Sequence, residues 1–321
     1  MKEDAKPLIS VSIPVFNEEE NLDQLYMRLT ALADRMSDRC EFEFVFSDNH
    51  SSDGTWGKLR HLAENDGRVR AIKFSKNFGF QNSILANYMH TRGDAVLQID
   101  ADLQDPPELL EEFFALWQQG YQVVYGVRKG RKEGPFITLF RKVGYWAIDK
   151  VSEHPIPRDV GDFRLIDRRV VEAISRSDQP NPYLRGMIAG LGFNQTGIAY
   201  DRDARQAGQS QFGTLRLISL GLTAVLNHST VPLRIATYTG LVIILATVAL
   251  TVFYLISKFL DPNLPPGFIS IQLLILFGIG LNAFLLGIIG EYILRIYRAI
   301  RSDPIAIIEQ SLNIEDTDLK L

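Results

Sequence analysis

The chain has 321 residues, 46% of them hydrophobic and 22% charged, with a mean hydropathy of +0.00, a formal charge of −4 and a pI near 5.8. A composition this balanced excludes disorder, collagen and a small disulfide scaffold, and it gives no support to nucleic-acid binding, which shows as a basic domain. The average hides a division: only 12 of the charged residues lie after Arg234, so a charge-rich block long enough to bury a core precedes a charge-poor one.

The N-terminal MKEDAKPLIS has no apolar signal-peptide core, so insertion into a membrane is expected from a later segment. The lone Cys40 cannot close an intrachain disulfide, which fits a reducing compartment. Residues 8–16 (LISVSIPVF) read as a strand, 18–36 (EEENLDQLYMRLTALADRM) have helical periodicity, and 41–48 (EFEFVFSD) are strand-like again. A capped helix follows in SSDGTWGKLRHLAEN, then a strand at 69–75 (VRAIKFS), a helix in FQNSILANYMHTR and a strand at 95–100 (AVLQID). This alternation predicts an α/β fold on a parallel sheet with helices on both faces. Ligands of such sheets bind beyond the carboxyl ends of the strands, which directs attention to Asn17 and Glu18, to Asp48, and to Asp100 through Asp102. No GxGxxG follows the first strand and no GxxxxGK[ST] occurs, so dinucleotide and P-loop readings lack their phosphate cradle.

Asp48 opens the run Asp48-Asn49-His50-Ser51-Ser52-Asp53-Gly54-Thr55. Ser52 or Asp53 has a plainer alternative role in capping the next helix, whereas Asp48 stands before the cap. The stretch 99–108 (IDADLQDPPE) is the most informative. Asp100 and Asp102 are expected on one side of an extended segment, where two hard oxygen ligands can share a divalent cation, Mg²⁺ or Mn²⁺, with a substrate diphosphate. PPE then starts a helix, since proline is tolerated in the first turn. Arg128, Lys129, Arg131, Lys132, Arg141 and Lys142 form a basic stretch, and Phe136, Leu139, Phe140, Val143, Trp146 and Ala147 recur at helical spacing. An interfacial helix and an ordinary core-facing helix are both open there. A second interfacial candidate is 212–230 (FGTLRLISLGLTAVLNHST). The histidines have no metal-ligand spacing.

Residues 235–257 and 268–290 are free of charge, and each run exceeds the ~20 residues needed to cross a bilayer core. Two transmembrane helices joined by the turn-rich KFLDPNLPPG are expected to form a hairpin. Arg234 precedes the first span and Arg295, Arg298 and Arg301 follow the second, which places both termini in the cytoplasm. Gln272 and Asn282 read as helix-to-helix hydrogen-bonding groups in preference to a transport path. The polar tail EQSLNIEDTDLKL is expected to be mobile. The divisions are therefore 1–211 for a cytoplasmic catalytic domain, 212–233 for an interfacial helix, 234–301 for the hairpin and 302–321 for a cytoplasmic tail.

These motifs, VSIPVFNEEENL, DNHSSDGT, DADLQDPPE, GDFRLIDRRV (161–170), RDARQAGQSQF (202–212) and the two spans, together resemble the family 2 glycosyltransferases of the GT-A fold. Within them the chain is similar to the membrane-anchored polyprenyl-phosphate sugar transferases, a group that includes dolichol-phosphate mannose synthase and the bacterial GtrB-type undecaprenyl-phosphate glucosyltransferases. The resemblance covers nearly the whole chain. It implies that Pro14 and Glu18 frame a nucleotide-sugar pocket to which Ala101 and Gln211 also belong, that Asp48 contacts the base or ribose, and that Asp100 and Asp102 handle diphosphate and metal. It further implies that Asp162 is the catalytic carboxylate. Two departures stand out: Asn49 and His50 replace the usual Asp-Gly, and Gly208-Gln209-Ser210-Gln211 lacks the lysine of the usual GxSK, so Arg202 and Arg205 are left to supply that charge.

A metal on Asp102, with Arg205, is expected to neutralise the diphosphate leaving group. Arg128, Arg131, Arg141, Arg202 and Ser210 are the candidates for the acceptor phosphate at the membrane. The implied partners are a nucleotide sugar, UDP-glucose foremost, undecaprenyl or a related polyprenyl phosphate, membrane lipid, and, through Gly240, Gly278, Gly280 and Gly287, a second copy of the chain. The implied location is the bacterial inner membrane. GDP-mannose or another nucleotide sugar as donor stays open. A processive synthase needs a QxxRW element and more spans, and a non-catalytic nucleotide-sugar sensor has no need of Asp102 and Asp162 together.

Overall fold

Alternation along the first strand sorts its side chains onto two faces, and the rest of the fold follows from that division. The computed structural model describes residues 6–129, 160–176, 184–202, 268–300 and 304–314, with scattered helical positions between 238 and 260. Arg131, Arg141, Arg205, Ser210 and Gln211 lie outside the described residues, as do both candidate interfacial helices and most of the basic stretch after Lys129. The first of two compact units comprises residues 1–145, 154–211 and 302–321, and the second comprises 146–153 and 212–301.

In the first unit the order is β1 (Leu8–Val15), α1 (Glu19–Arg35), β2 (Glu41–Asp48), α2 (Thr55–Asn65), β3 (Val69–Phe74), α3 (Phe80–His90), β4 (Ala95–Gln98) and α4 (Leu110–Gln118), the last preceded by a 3-10 turn at Pro107–Leu109. Then come β5 (Val123–Arg128), β6 (Val160–Asp167), α5 (Arg168–Ser175), α6 (Leu184–Gly190), β7 (Gln195–Tyr200) and, after the second unit, β8 (Ile308–Leu312). Ile9, Val11, Ile13 and Val15 point to one face, where they join Phe42, Phe44 and Phe46 of β2 and the apolar sides of α1, α2 and α4 in the main core. Each such large apolar side chain, taken out of water, contributes about 1.5–3 kcal/mol. A second core on the other face packs Ile84, Leu85 and Tyr88 of α3 against Val170, Val171 and Ile174 of α5. Polar groups on this face are paired across strands: Ser10 Oγ donates to Glu43 Oε1 at 2.6 Å and Ser12 Oγ to Gln98 Oε1 at 2.7 Å.

The eight strands form one sheet in the order β7-β5-β6-β4-β1-β2-β3-β8. The expected parallel arrangement holds for β4-β1-β2-β3. It fails further along, because β6 runs antiparallel to both β4 and β5 and β8 runs antiparallel to β3. The parallel rule came from helices linking consecutive strands in residues 8–98, and no such alternation governs β6 or β8. The sheet is thus mixed, and the reversal of β6 matters for the site.

The tail expectation is also corrected as far as residue 314, residues 315–321 lying outside the described residues. Residues 308–312 form a strand whose register pairs Ala71 with Leu312 and Phe74 with Ile308. Ala306 is buried beside Ile72, Phe74 and Ala86, Trp56 Nε1 donates to Gln310 Oε1 at 2.9 Å, and Asn313 Nδ2 donates to the carbonyls of Ala63 and Val69 at 2.8 Å each. Asn313 adopts φ 54°, a left-handed conformation that asparagine tolerates better than most residues. Asn313→Ala removes both hydrogen bonds and is expected to lower the stability of the full chain by about 1–3 kcal/mol, read by denaturant titration in detergent. A change within error would show that the strand is held by its ladder alone.

In the second unit α7 spans Phe268–Ile300, 33 residues, or about 50 Å at 1.5 Å per residue. It runs ten residues past the charge-free stretch, through Arg295 and Arg298. Among the described residues it is the one helix long and apolar enough to cross a membrane, and none of its window Phe277–Leu294 is buried. The described positions between 238 and 260 are helical, and Tyr238, Val242, Leu245, Phe253 and Leu260 are exposed. Asn282 Nδ2 donates to Gly278 O at 3.3 Å within its own helix.

Candidate functional site

Register brings the candidate residues to one edge of the sheet. Val15 lies opposite Asp48 and Asp48 opposite Lys73, so the loops after β1, β2 and β3 emerge together. β5 and β7 end alongside one another, with Arg128 opposite Tyr200. Because β6 is reversed, its amino end meets the carboxyl ends of its neighbours: Gln98 pairs with Arg164, which carries Asp162 toward Asp100. A rule that inspects only carboxyl ends misses Asp162, and only the family resemblance pointed to it.

On the β1–β2 side the loops are knitted together. Asn17, at φ 55°, accepts from Ser52 N at 2.8 Å and donates its own N–H to Ser51 Oγ at 2.9 Å. Glu18 N donates to Thr55 Oγ1 at 3.0 Å, while the Glu18 carboxylate accepts from Asn21 Nδ2 at 2.6 Å. Gly54 N donates to Glu19 Oε2, and a Cβ at Gly54 would displace that carboxylate from its present position. Asp53 Oδ1 accepts from Thr55 N at 3.0 Å, so this residue serves the start of α2. Pro14 is buried on β1, beyond the last residue that pairs with β4.

Asp48 is fully buried. One oxygen accepts from Ser51 N at 2.9 Å, whereas Oδ2 has no hydrogen-bond partner. Burial pushes its carboxyl above the usual range despite the Ser51 bonds. An acceptor in that state fits a ligand N–H or O–H. The unusual Asn49 and His50 do not compete for it. Asn49 donates to Asn77 Oδ1 and accepts from Phe78 N, bracing the loop after β3, and His50 takes φ 66°, the conformation for which glycine is usual.

The expected extended DxD segment is instead a turn. β4 ends at Gln98, Asp100 follows, and Asp102 lies in a turn that continues to Leu103 at φ 60°. For a leucine this costs roughly 1–2 kcal/mol, offset by burial of its side chain in the main core. Ala101 is buried in the same core, leaving only its backbone to meet a ligand. Asp102 Oδ1 accepts from Gln104 N at 3.2 Å. Asp100 Oδ1 is buried without a hydrogen-bond partner. Burial first, and then the charges of Asp162, Asp105 and Asp102, push the Asp100 carboxyl up to about 8.

Three residues that sequence reasoning passed over complete the site. Arg185, on α6, clamps Asp162 in a two-point ion pair, Nε to Oδ1 at 2.9 Å and Nη2 to Oδ2 at 2.6 Å. Burial alone would raise the Asp162 carboxyl, but the bonds from Arg185 and the charges of Arg185, Arg164 and Arg128 hold it below the usual range. Asp105 and Tyr200 are the others. Tyr200 donates to Asp105 Oδ1, Arg202 Nε reaches the same oxygen at 3.3 Å, and Arg128 lies 3.6 Å from Oδ2. Asp105 sat in the quoted IDADLQDPPE without an assigned role; Arg185 and Tyr200 lie in no motif that singled them out.

Four carboxylates therefore share one sheet edge with four arginines. Among the described residues no three His, Cys, Asp or Glu side chains are grouped to hold a metal by themselves. The unpartnered oxygen of Asp100 and the mutual repulsion of the carboxylates nevertheless fit a hard divalent cation that takes its remaining ligands from a bound substrate.

The sequence profile of glycosyl transferase family 2 matches residues 10–175. The SfII prophage-derived bactoprenol glucosyl transferase of Shigella flexneri is 34% identical over 306 residues, covering 94% of this chain and 98% of its own. The uncharacterized glycosyltransferase YkcC of Bacillus subtilis is 35% identical over 314 residues, covering 97% and 96%. The chain belongs to glycosyl transferase family 2, and its mixed sheet is the GT-A fold of these enzymes.

Proposed function

We propose that the protein transfers a hexose, glucose from UDP-glucose as first choice, onto undecaprenyl or a related polyprenyl phosphate at the cytoplasmic face of a bacterial inner membrane. The observation that carries the reading is the meeting of Asp100 and Asp102 with Arg128 and Arg202 at one sheet edge, in a chain similar along nearly its whole length to a bactoprenol glucosyl transferase. Asp48, through its unpartnered oxygen, is assigned to the nucleobase or ribose, and Pro14 and Glu18 to the walls of that pocket. Asp100 and Asp102 would hold Mg²⁺ or Mn²⁺, which supplies charge neutralisation at a diphosphate.

In the transfer, an oxygen of the lipid phosphate attacks the anomeric carbon. The bond from that carbon to the nucleoside diphosphate breaks, its electron pair leaves with the diphosphate, and the configuration inverts. A phosphate monoester has its second pKa near ~6, so the nucleophile is already anionic at neutral pH and little deprotonation is needed. Asp162, kept ionised by Arg185, serves on this reading to fix the arginines and orient the acceptor. Arg128 and Arg202, with Arg205, Arg131 and Arg141 contributing from their own segments, supply positive charge to the phosphates.

The C-terminal strand supports the membrane hairpin. β8 is hydrogen-bonded to β3, so the chain that leaves the first unit at Gln211 returns to it at Ser302. A membrane segment between two points of one aqueous domain crosses an even number of times, which agrees with spans at 235–257 and 268–290. The arginines outside both ends support a cytoplasmic location for that domain.

The test is to incubate membranes containing the protein with undecaprenyl phosphate and a panel of labelled nucleotide sugars. Labelled lipid is expected with UDP-glucose. Product with GDP-mannose alone would move the reading to the mannose-synthase type, and product from none of the panel would end it.

A further inference from the structure

Asp105 has no assigned part in the reaction, yet three side chains converge on it: Tyr200 and Arg202 on Oδ1, and Arg128 near Oδ2, which has no hydrogen-bond partner. Its side chain is fully buried. A buried carboxylate without compensation costs several kcal/mol, and the compensation comes from two strands. Arg128 arrives from the end of β5 and Arg202 from beyond the end of β7, at 3.6 and 3.3 Å. Tyr200 ties them further, donating to Asp105 Oδ1 while its hydroxyl accepts from Arg128 Nε at 3.3 Å.

The backbone around this arrangement is cut to fit it. A Cβ at Gly161 would lie 2.5 Å from the Arg128 guanidinium, and one at Gly126 would lie 2.6 Å from the Tyr200 ring. Both glycines have ordinary φ; at Gly126 the neighbours are the rings of Tyr200 and Phe163, whereas at Gly161 a side chain would push the Arg128 guanidinium from its present position. The charges are graded as well. Arg128 keeps 15% of its side-chain surface and Arg202 keeps 29%, and Arg202 Nη2 lies 3.7 Å from Asp102 Oδ2. The guanidiniums are held from behind by Asp105, and Arg202 lies next to the DxD turn.

We propose that Asp105, with Tyr200, is a positioning residue that holds Arg128 and Arg202 as a preset pair of cations for a phosphate group. The inference rests on the transferase reading. Two sources of that chemistry meet at the site, the donor diphosphate and the acceptor phosphomonoester, and either can be the pair's ligand. Without Asp105, Arg202 is free to pair with Asp102, and both the cation and the DxD carboxylate are withdrawn from the substrate.

The experiment compares wild type, Asp105→Asn, Tyr200→Phe, Arg202→Ala and the Asp105→Asn/Arg202→Ala double variant, all as full-length protein in detergent. UDP affinity is measured by calorimetry without acceptor, and KM and kcat by transfer to lipid phosphate. Asp105→Asn is expected to weaken either UDP binding or KM for the lipid phosphate by ~10-fold, the loss of one charge-assisted interaction. The affected arm identifies the source. Tyr200→Phe, which keeps the ring against Phe163, is expected to move the same constant by a smaller factor. In the Arg202→Ala background Asp105→Asn is expected to cost less than in wild type, because the part of its effect that acts through Arg202 is gone and only the part through Arg128 is left. Unchanged constants in both Asp105→Asn and Tyr200→Phe, or fully additive losses in the double variant, overturn the inference. An inactive wild type would instead fail the transferase reading.

Discussion

Asp162→Asn is expected to lose about 10²- to 10³-fold in kcat, the range seen when one electrostatically stabilising group is removed from a preorganised site, and to lose it by the same factor across pH. Arg185 sets the protonation state of Asp162. Its two bonds at 2.9 and 2.6 Å engage both oxygens of Asp162, and they hold the carboxyl below its usual range. A group that binds protons so weakly is a poor general base near neutrality. With its pKa depressed, Asp162 stays ionised as pH falls through the normal carboxylate range, so it cannot give the enzyme an acid limb near neutral pH. The lipid phosphate can, since its second ionisation lies near ~6. Wild type and Asp162→Asn are therefore expected to share an acid limb near that value, offset vertically. A limb present in wild type and missing in the variant would make Asp162 the base after all, and activity near wild type at every pH would remove it from the reaction. The variant also removes the ion pairs that Arg185 and Arg164 make with Asp162, so a lower melting point should accompany the loss.

How far the sequence led can be traced strand by strand. Period-2 alternation in LISVSIPVF and EFEFVFSD marked β1 and β2, and the helices between them fixed a parallel register that put Asn17, Asp48 and Asp100 at one edge. Those inferences need only local periodicity and the geometry of crossovers. β6 was quoted only as a motif, and its reversed direction depends on pairing with β4 and β5, which local pattern does not encode. β8 was misread for a related reason: a short polar stretch looks mobile until an unpaired strand edge, here β3, is available to it. At the site, Asp48, Asp100 and Asp102 were legible because strand ends advertise them. Arg185 and Tyr200 were not, because their importance lies in which carboxylate they touch. Asn49 and His50 were noted as departures, and their internal bonds to Asn77, Phe78 and Phe74 could be seen only once the loops were placed.

Asp102→Ala is expected to reduce kcat by about 10³-fold while leaving the melting point unchanged or raising it, and the combination is more informative than either change alone. Asp102 is more weakly tied than either Asp105 or Asp162. Asp105 is held by Tyr200 and two arginines, Asp162 by Arg185 and Arg164, and Asp102 has one backbone bond at 3.2 Å and Arg202 at 3.7 Å, with Arg202 lying nearer to Asp105. At the same time it adds to the repulsion that pushes Asp100 up to about 8. Removing it takes a like charge from a crowded, partly buried cluster and sacrifices little bonding, so the fold has no cause to weaken. The chemistry does, because a departing diphosphate needs fixed positive charge that an Asp100 left alone cannot organise. Opposed signs of this kind mark a carboxylate kept for function at a cost in stability. The check pairs transfer to lipid phosphate with thermal unfolding of the same preparation. Activity and melting point falling together would identify Asp102 as a structural residue and remove it from the proposed metal and diphosphate site.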